Sequence, residues 1–201
     1  MSMIWLRMPG QTWAGAAAAF LAMWLVMMVA MMVPPLVPLL ATLSRRSRAG
    51  LAAAGYFSVW TLFGAGVYVV GACVAAAQLR WPTVARCAPL ATGIVLLGAG
   101  CLQLTTWKAR WLARCRACAA PASPDVASAF RHGVHFGVQC SLCCTGLMAV
   151  LLVAGMMRLA IIALVAAAIA VERLAPRPER TARAIGVVVT GMGVLAIVQA
   201  L

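Results

Sequence analysis

Apolar stretches about as long as a membrane helix alternate with short basic breaks along almost the whole chain. A helix that crosses a bilayer needs roughly 20 mostly apolar residues. The pattern predicts six of them, over 14–33, 52–78, 89–107, 134–157, 159–173 and 184–200. The fifth is short for a full crossing and is expected to borrow residues near Met157 or to lie where the bilayer is thin. Little remains for a soluble domain, so the fold class expected is an all-α, polytopic transmembrane helix bundle forming one domain over 1–201. The first apolar run, 13–43, exceeds the roughly 7–15 residue core of a signal peptide and is expected to stay as a membrane helix.

Composition agrees with that reading. The chain is 65% hydrophobic and 9% charged, against a soluble-domain norm of about 45–50% apolar. A net charge of +13 would suggest nucleic acid in a soluble protein, but here the basic residues sit in the breaks between apolar runs, so the lipid bilayer is the expected partner and nucleic acid is not. One alternate set of breaks holds Arg45, Arg46, Arg48, Lys108, Arg110, Arg114, Arg116, Arg131, Arg173, Arg177, Arg180 and Arg183; the other holds only Arg7, Arg80, Arg86 and Arg158. The positive-inside rule turns the richer set to the cytoplasm and leaves both termini outside.

Sulfur supplies the candidate chemistry. Cys140, Cys143 and Cys144 fall at i, i+3 and i+4, on one face of a helix, with Met148 one turn further along the same stripe. Three thiols in five positions inside an apolar segment point to a soft metal, although cysteine is also an ordinary buried residue. Near the end of the first helix, Met27 with Met31 and Met28 with Met32 form two thioether rows, which the orientation brings to the same depth as the thiols. Pro34, Pro35 and Pro38 follow and deprive the carbonyls of Ala30, Met31 and Pro34 of helical partners. A break at that point is either a kinked helix end or part of a site.

Other residues offer weaker signals. His132 and His135 precede the thiols; His135 is about 140° around a regular helix from Cys140 and would reach the site only from an irregular start. Cys115 and Cys118 make an isolated C-x-x-C in the most basic break, where arginines would favour the thiolate. Cys73 and Cys87 lie toward the outer side and would pair only in an oxidising compartment. Acids number three, Asp125, Glu172 and Glu179, too few for paired-carboxylate hydrolysis or a hard-cation path. Glu172 either pairs with its neighbour Arg173 or acts as a gate carboxylate near the site. The recurrent glycines, such as Gly64, Gly93, Gly100, Gly133, Gly137, Gly186 and Gly193, are assigned to close helix packing.

Taken together, residues 27–39 (MMVAMMVPPLVPL), Gly55-Tyr56 with Trp60 and Phe63-Gly64, Gln103-Leu104-Thr105 with Lys108, Cys115-Arg116, Gly137 with the C-x-x-C-C of Cys140, Cys143 and Cys144, Leu147-Met148, and Glu172-Arg173-Leu174 with Pro176 run in an order that resembles a bacterial family of unknown function described as predicted metal-binding integral membrane proteins. The chain departs from that pattern at Trp111, Cys118, Phe136, Gln139 and Thr145. The resemblance implies a metal site in the bacterial inner membrane and a small soluble companion protein; ligand softness makes Cu(I) the first expectation and zinc the second.

The leading expectation is therefore metal handling or delivery, by a protein more a binder than an enzyme. The metal set comprises Cys140, Cys143, Cys144, Met148, His135, Met27, Met28, Met31 and Met32, with His132, Cys115, Cys118 and Glu172 as secondary candidates. A membrane thiol-disulfide oxidoreductase and a structural subunit with inert cysteines are the alternatives, and self-association into a homo-oligomer stays open. Two histidines three residues apart on one helix cannot clasp the two faces of a haem.

Overall fold

The computed structural model describes residues 5, 10–41, 46–117, 126–156 and 158–201. Helices follow in the order α1 (Trp13–Ala41), α2 (Arg46–Arg80), α3 (Pro82–Arg86), α4 (Ala88–Leu104), α5 (Thr106–Ala117), α6 (Val126–Ala154), α7 (Leu159–Leu174) and α8 (Pro178–Ala200). No strand occurs among the described residues. Five segments, Trp13–Val37, Ser47–Arg80, Pro82–Leu104, Ser128–Ala154 and Pro178–Ala200, are long and apolar enough to cross a membrane. The sixth apolar helix, α7, has 16 residues, which makes it about 24 Å long against a hydrocarbon core of about 30 Å.

The bundle is apolar on its outside. Val26, Leu62, Leu164, Val187 and Leu195 are among the exposed aliphatics, whereas the interior gathers Trp24, Tyr56, Trp60, the α1 methionines and the α6 thiols. Aliphatic burial gives no net drive when the solvent is itself hydrocarbon, so such helices associate through shape and polar contacts. Both appear here. α2 and α6 meet through glycine: a Cβ on Gly133 would collide with the Ala52 carbonyl, and one on Gly55 with the Phe130 carbonyl. α4 and α8 approach at Gly100 against Thr190 and at Gly193 against Leu97. Not every glycine serves this purpose, because Gly66, Gly98 and Gly191 have nothing near enough to meet a Cβ. Between α1 and α2 the Trp24 indole lies against Gly64 and donates its Nε1 hydrogen bond to the Trp60 carbonyl at 2.9 Å.

Three differences from the sequence pattern bear on the site. First, α1 does not stop at the prolines but runs through Pro34, Pro35 and Pro38 to Ala41. Each proline removes a single amide donor, and the remaining ladder with the buried Leu36 and Leu39 keeps the backbone helical. Second, α6 begins at Val126 rather than near 134, so His132 and His135 lie within regular helix. It ends at Gly155, whose φ of +110° needs a residue without Cβ. Third, the basic break after α4 contains a helix, α5, started by Thr105, whose hydroxyl accepts from the Lys108 amide at 3.4 Å. Lys108, Leu112 and Cys115, at i, i+4 and i+7, are its buried stripe.

Candidate metal centre

The thiol stripe of α6 faces the middle of the bundle. Cys140, Cys143 and Cys144 are all buried, as are Leu147 and Met148 on the next turn. α5 brings Cys115 into the same buried core cluster as these thiols, near enough for Cys115, Cys143 and Cys144 to interact electrostatically. Four buried thiols thus form one cluster from two helices.

Polar side chains from four helices close around this cluster. From α7, the Arg173 guanidinium donates from Nη2 to Cys140 Sγ at 2.9 Å and reaches Cys144 Sγ at 3.9 Å. From α2, the Tyr56 hydroxyl shares a hydrogen bond with Cys140 Sγ at 3.1 Å. From α5, the Lys108 ammonium donates to the Cys143 carbonyl at 2.7 Å and pairs with Glu172 Oε2 at 2.8 Å. The other Glu172 oxygen accepts from Gln103 Nε2 of α4 at 2.6 Å. Buried ions are tolerated when both charge and hydrogen-bonding capacity are met, and the Lys108, Glu172 and Gln103 chain meets both. Glu172 therefore pairs with Lys108 across the bundle rather than with its neighbour Arg173, which leaves Arg173 to the sulfurs. Consecutive residues of α7 serve separate partners and lock the helix at a fixed rotation beside α6.

The electrostatics of α5, which lies outside the five long spans, follow from these contacts. The neighbouring Cys143 thiol, together with the Arg173 charge, holds the Cys115 thiol below its ordinary value in spite of burial. Burial alone would pull Lys108 down, but the anionic groups it faces, with the Glu172 carboxylate at 2.8 Å, outweigh it and leave the ammonium above its ordinary value. Lys108 is thus a fixed cation.

The remaining candidate residues divide by location. Met27, Met28, Met31 and Met32 are buried in the same contiguous core cluster as Cys115, Cys140, Cys143, Cys144 and Met148. They arrive indirectly, because α1 packs on α2 and α7, which in turn pack on α6. His135 is exposed, with Nε2 3.4 Å from Gln139 Nε2. His132 is half-buried, its Nε2 covered and without a hydrogen-bond partner among the described residues. The two histidines share an open groove with Phe130, Arg131 and Val138, apart from the thiols. Cys118 lies outside the described residues, and Cys73, Cys87 and Cys101 are exposed free thiols. Sequence reasoning placed Tyr56, Gln103 and Lys108 outside the candidate site and gave Arg173 only an ion pair with Glu172; the signal available was the polar member of a helical stripe, Lys108 ahead of Leu112 and Cys115.

The donor set suits a soft ion. Thiolates and thioethers favour Cu(I), which accepts two sulfurs in a line. Among the described residues no three or more of His, Cys, Asp and Glu are disposed to hold one ion together, so the arrangement offers thiol pairs, of which Cys140 and Cys144 are bridged by a single guanidinium nitrogen. A four-coordinate zinc cage would need more donors converging on one point.

Residues 21–196 match a family model described as PpoB2, copper chaperone. No characterised protein and no solved structure gives a significant match.

Proposed function

The chain belongs to the PpoB2 copper chaperone family, and on that premise we propose that it is a membrane-embedded carrier that holds Cu(I) as cargo on the buried thiols of α6 and passes it to another protein. The observation that carries this reading is the gathering of Cys115, Cys140, Cys143 and Cys144 in one buried cluster, with Cys140 hydrogen-bonded to Arg173 and Tyr56. Cys140 and Cys144 are the ligating pair in this reading, with Cys143 and Cys115 one sulfur away for exchange. The buried thioethers of Met148 and of α1 supply weaker donors along which a soft ion moves in or out.

Chaperone chemistry asks for such a site. A carrier must bind copper without either caging it or freeing it to water, and two strong sulfurs with further sulfurs close by permit stepwise ligand exchange. Burial keeps water and oxidants away, while neighbouring cations favour the anionic sulfurs that copper needs. The bundle lies in the inner membrane with both termini outside, as the distribution of basic residues supports. A small soluble protein is the partner that exchanges metal with it.

Metal analysis tests the reading. Full-length protein purified in detergent under reducing conditions and loaded with Cu(I) should retain roughly one copper per chain after desalting. The triple replacement of Cys140, Cys143 and Cys144 by serine should lose it. Wild-type protein that remains empty, or a triple variant that retains its copper, contradicts the proposal.

A further inference from the structure

The buried charges around the thiols do not cancel. Among the described residues the buried charged side chains are Lys108, Glu172 and Arg173. Lys108 and Glu172 neutralise each other at 2.8 Å. Arg173 remains, one positive charge whose guanidinium contacts sulfur atoms, Cys140 at 2.9 Å and Cys144 at 3.9 Å. Its guanidinium keeps its charge under all physiological conditions. Uncompensated charge in a buried interior is disfavoured, so the thiol pair together with the ion it holds must carry a net charge of minus one.

We infer that Arg173 is a specificity-determining residue: a fixed counter-ion that makes the loaded Cys140 and Cys144 pair neutral for a monovalent metal ion and leaves it charged for a divalent one. The inference rests on the copper reading above and deepens it. Two thiolates and one Cu(I) sum to minus one, which Arg173 cancels. Two thiolates and one Zn(II) or Cd(II) sum to zero, and the guanidinium is then left buried beside a neutral complex. Three thiolates on a divalent ion would also balance Arg173, but no three such donors are disposed around one point among the described residues. Arg173 is thus a positioning charge that discriminates by valence, in addition to the softness of sulfur, which by itself accepts Cu(I), Zn(II) and Cd(II) alike.

The experiment compares wild type with Arg173→Met, Arg173→Gln and Arg173→Lys, each as the full chain in detergent under anaerobic reducing conditions. Every protein is offered equimolar Cu(I) and Cd(II), and the metal retained after desalting is measured, with the ultraviolet thiolate-to-cadmium charge-transfer band reporting sulfur-bound Cd(II). Wild type should retain Cu(I) almost alone. The neutral variants should shift the Cd(II) to Cu(I) ratio upward by about tenfold or more, and Arg173→Lys should keep the wild-type ratio. Arg173→Gln replaces Arg173→Met if the latter fails to fold. An unchanged ratio in the neutral variants overturns the inference, as does Cd(II) retained by wild type at a level comparable with Cu(I). Loss of Cu(I) binding by wild type would instead overturn the copper reading itself, so the two failures are distinct.

Discussion

Removing the ammonium of Lys108 should unlock the helices that surround the thiols. Lys108 and Glu172 side chains are 2% and 3% exposed, with Nζ 2.8 Å from the carboxylate. In Lys108→Met the aliphatic volume is kept, but Glu172 is left buried with Gln103 as its remaining partner and the Cys143 carbonyl loses its donor. Breaking a buried pair from one side costs about 3–5 kcal/mol. Converting both partners to neutral isosteres, Lys108→Met with Glu172→Gln, removes the stranded charge, and the double variant should be more stable than the sum of the single changes by about 2 kcal/mol. Unfolding in mixed micelles by titration with sodium dodecyl sulfate, followed through helix content and tryptophan fluorescence, measures all four members of the cycle. A Lys108→Met cost below about 1 kcal/mol with additive behaviour would show that the pair does not bind α5 to α7.

The same unfolding assay should find Gly133→Ala destabilised by about 1–3 kcal/mol, since its Cβ would strike the Ala52 carbonyl. By contrast Gly191→Ala, into open space, should be neutral or stabilising by up to about 1 kcal/mol. Tyr56→Phe deletes a hydrogen bond to Cys140 and should cost about 0.5–1.5 kcal/mol while keeping the fold, as helix content would verify. Maleimide labelling read by mass spectrometry should modify Cys73 and Cys87 rapidly and reach Cys115, Cys140, Cys143 and Cys144 only after unfolding; fast labelling of Cys140 in the native protein would refute the buried cluster.

What could be read from the chain follows from how strongly each feature is written in local pattern. Long apolar runs declare their helices directly, and the short 159–173 segment returns as α7 at Leu159–Leu174. The stripe of Cys140, Cys143 and Cys144 is a local property of a single helix, so its common face was legible. The prolines of α1 misled because proline removes only its own donor, and the packing of neighbouring helices holds the rest of α1 together. α5 was hidden because its buried stripe includes a lysine, which reads as solvated until a carboxylate elsewhere in the chain is known to receive it. The partners of Lys108 and Arg173 are set by long-range packing: Glu172 and Arg173 are adjacent in sequence yet serve different helices, a choice that only the rotation of α7 decides. Cys115 likewise joins the cluster through the register of α5 against α6, whereas the motif it forms with Cys118 pointed to the break itself.

Copper K-edge X-ray absorption on the Cu(I)-loaded full-length protein addresses the central claim most directly. Copper held by the α6 thiols predicts a first shell made of sulfur, and loss of that shell when Cys140 and Cys144 are both replaced by serine. A first shell of nitrogen or oxygen, or a sulfur shell that survives the double replacement, would contradict it.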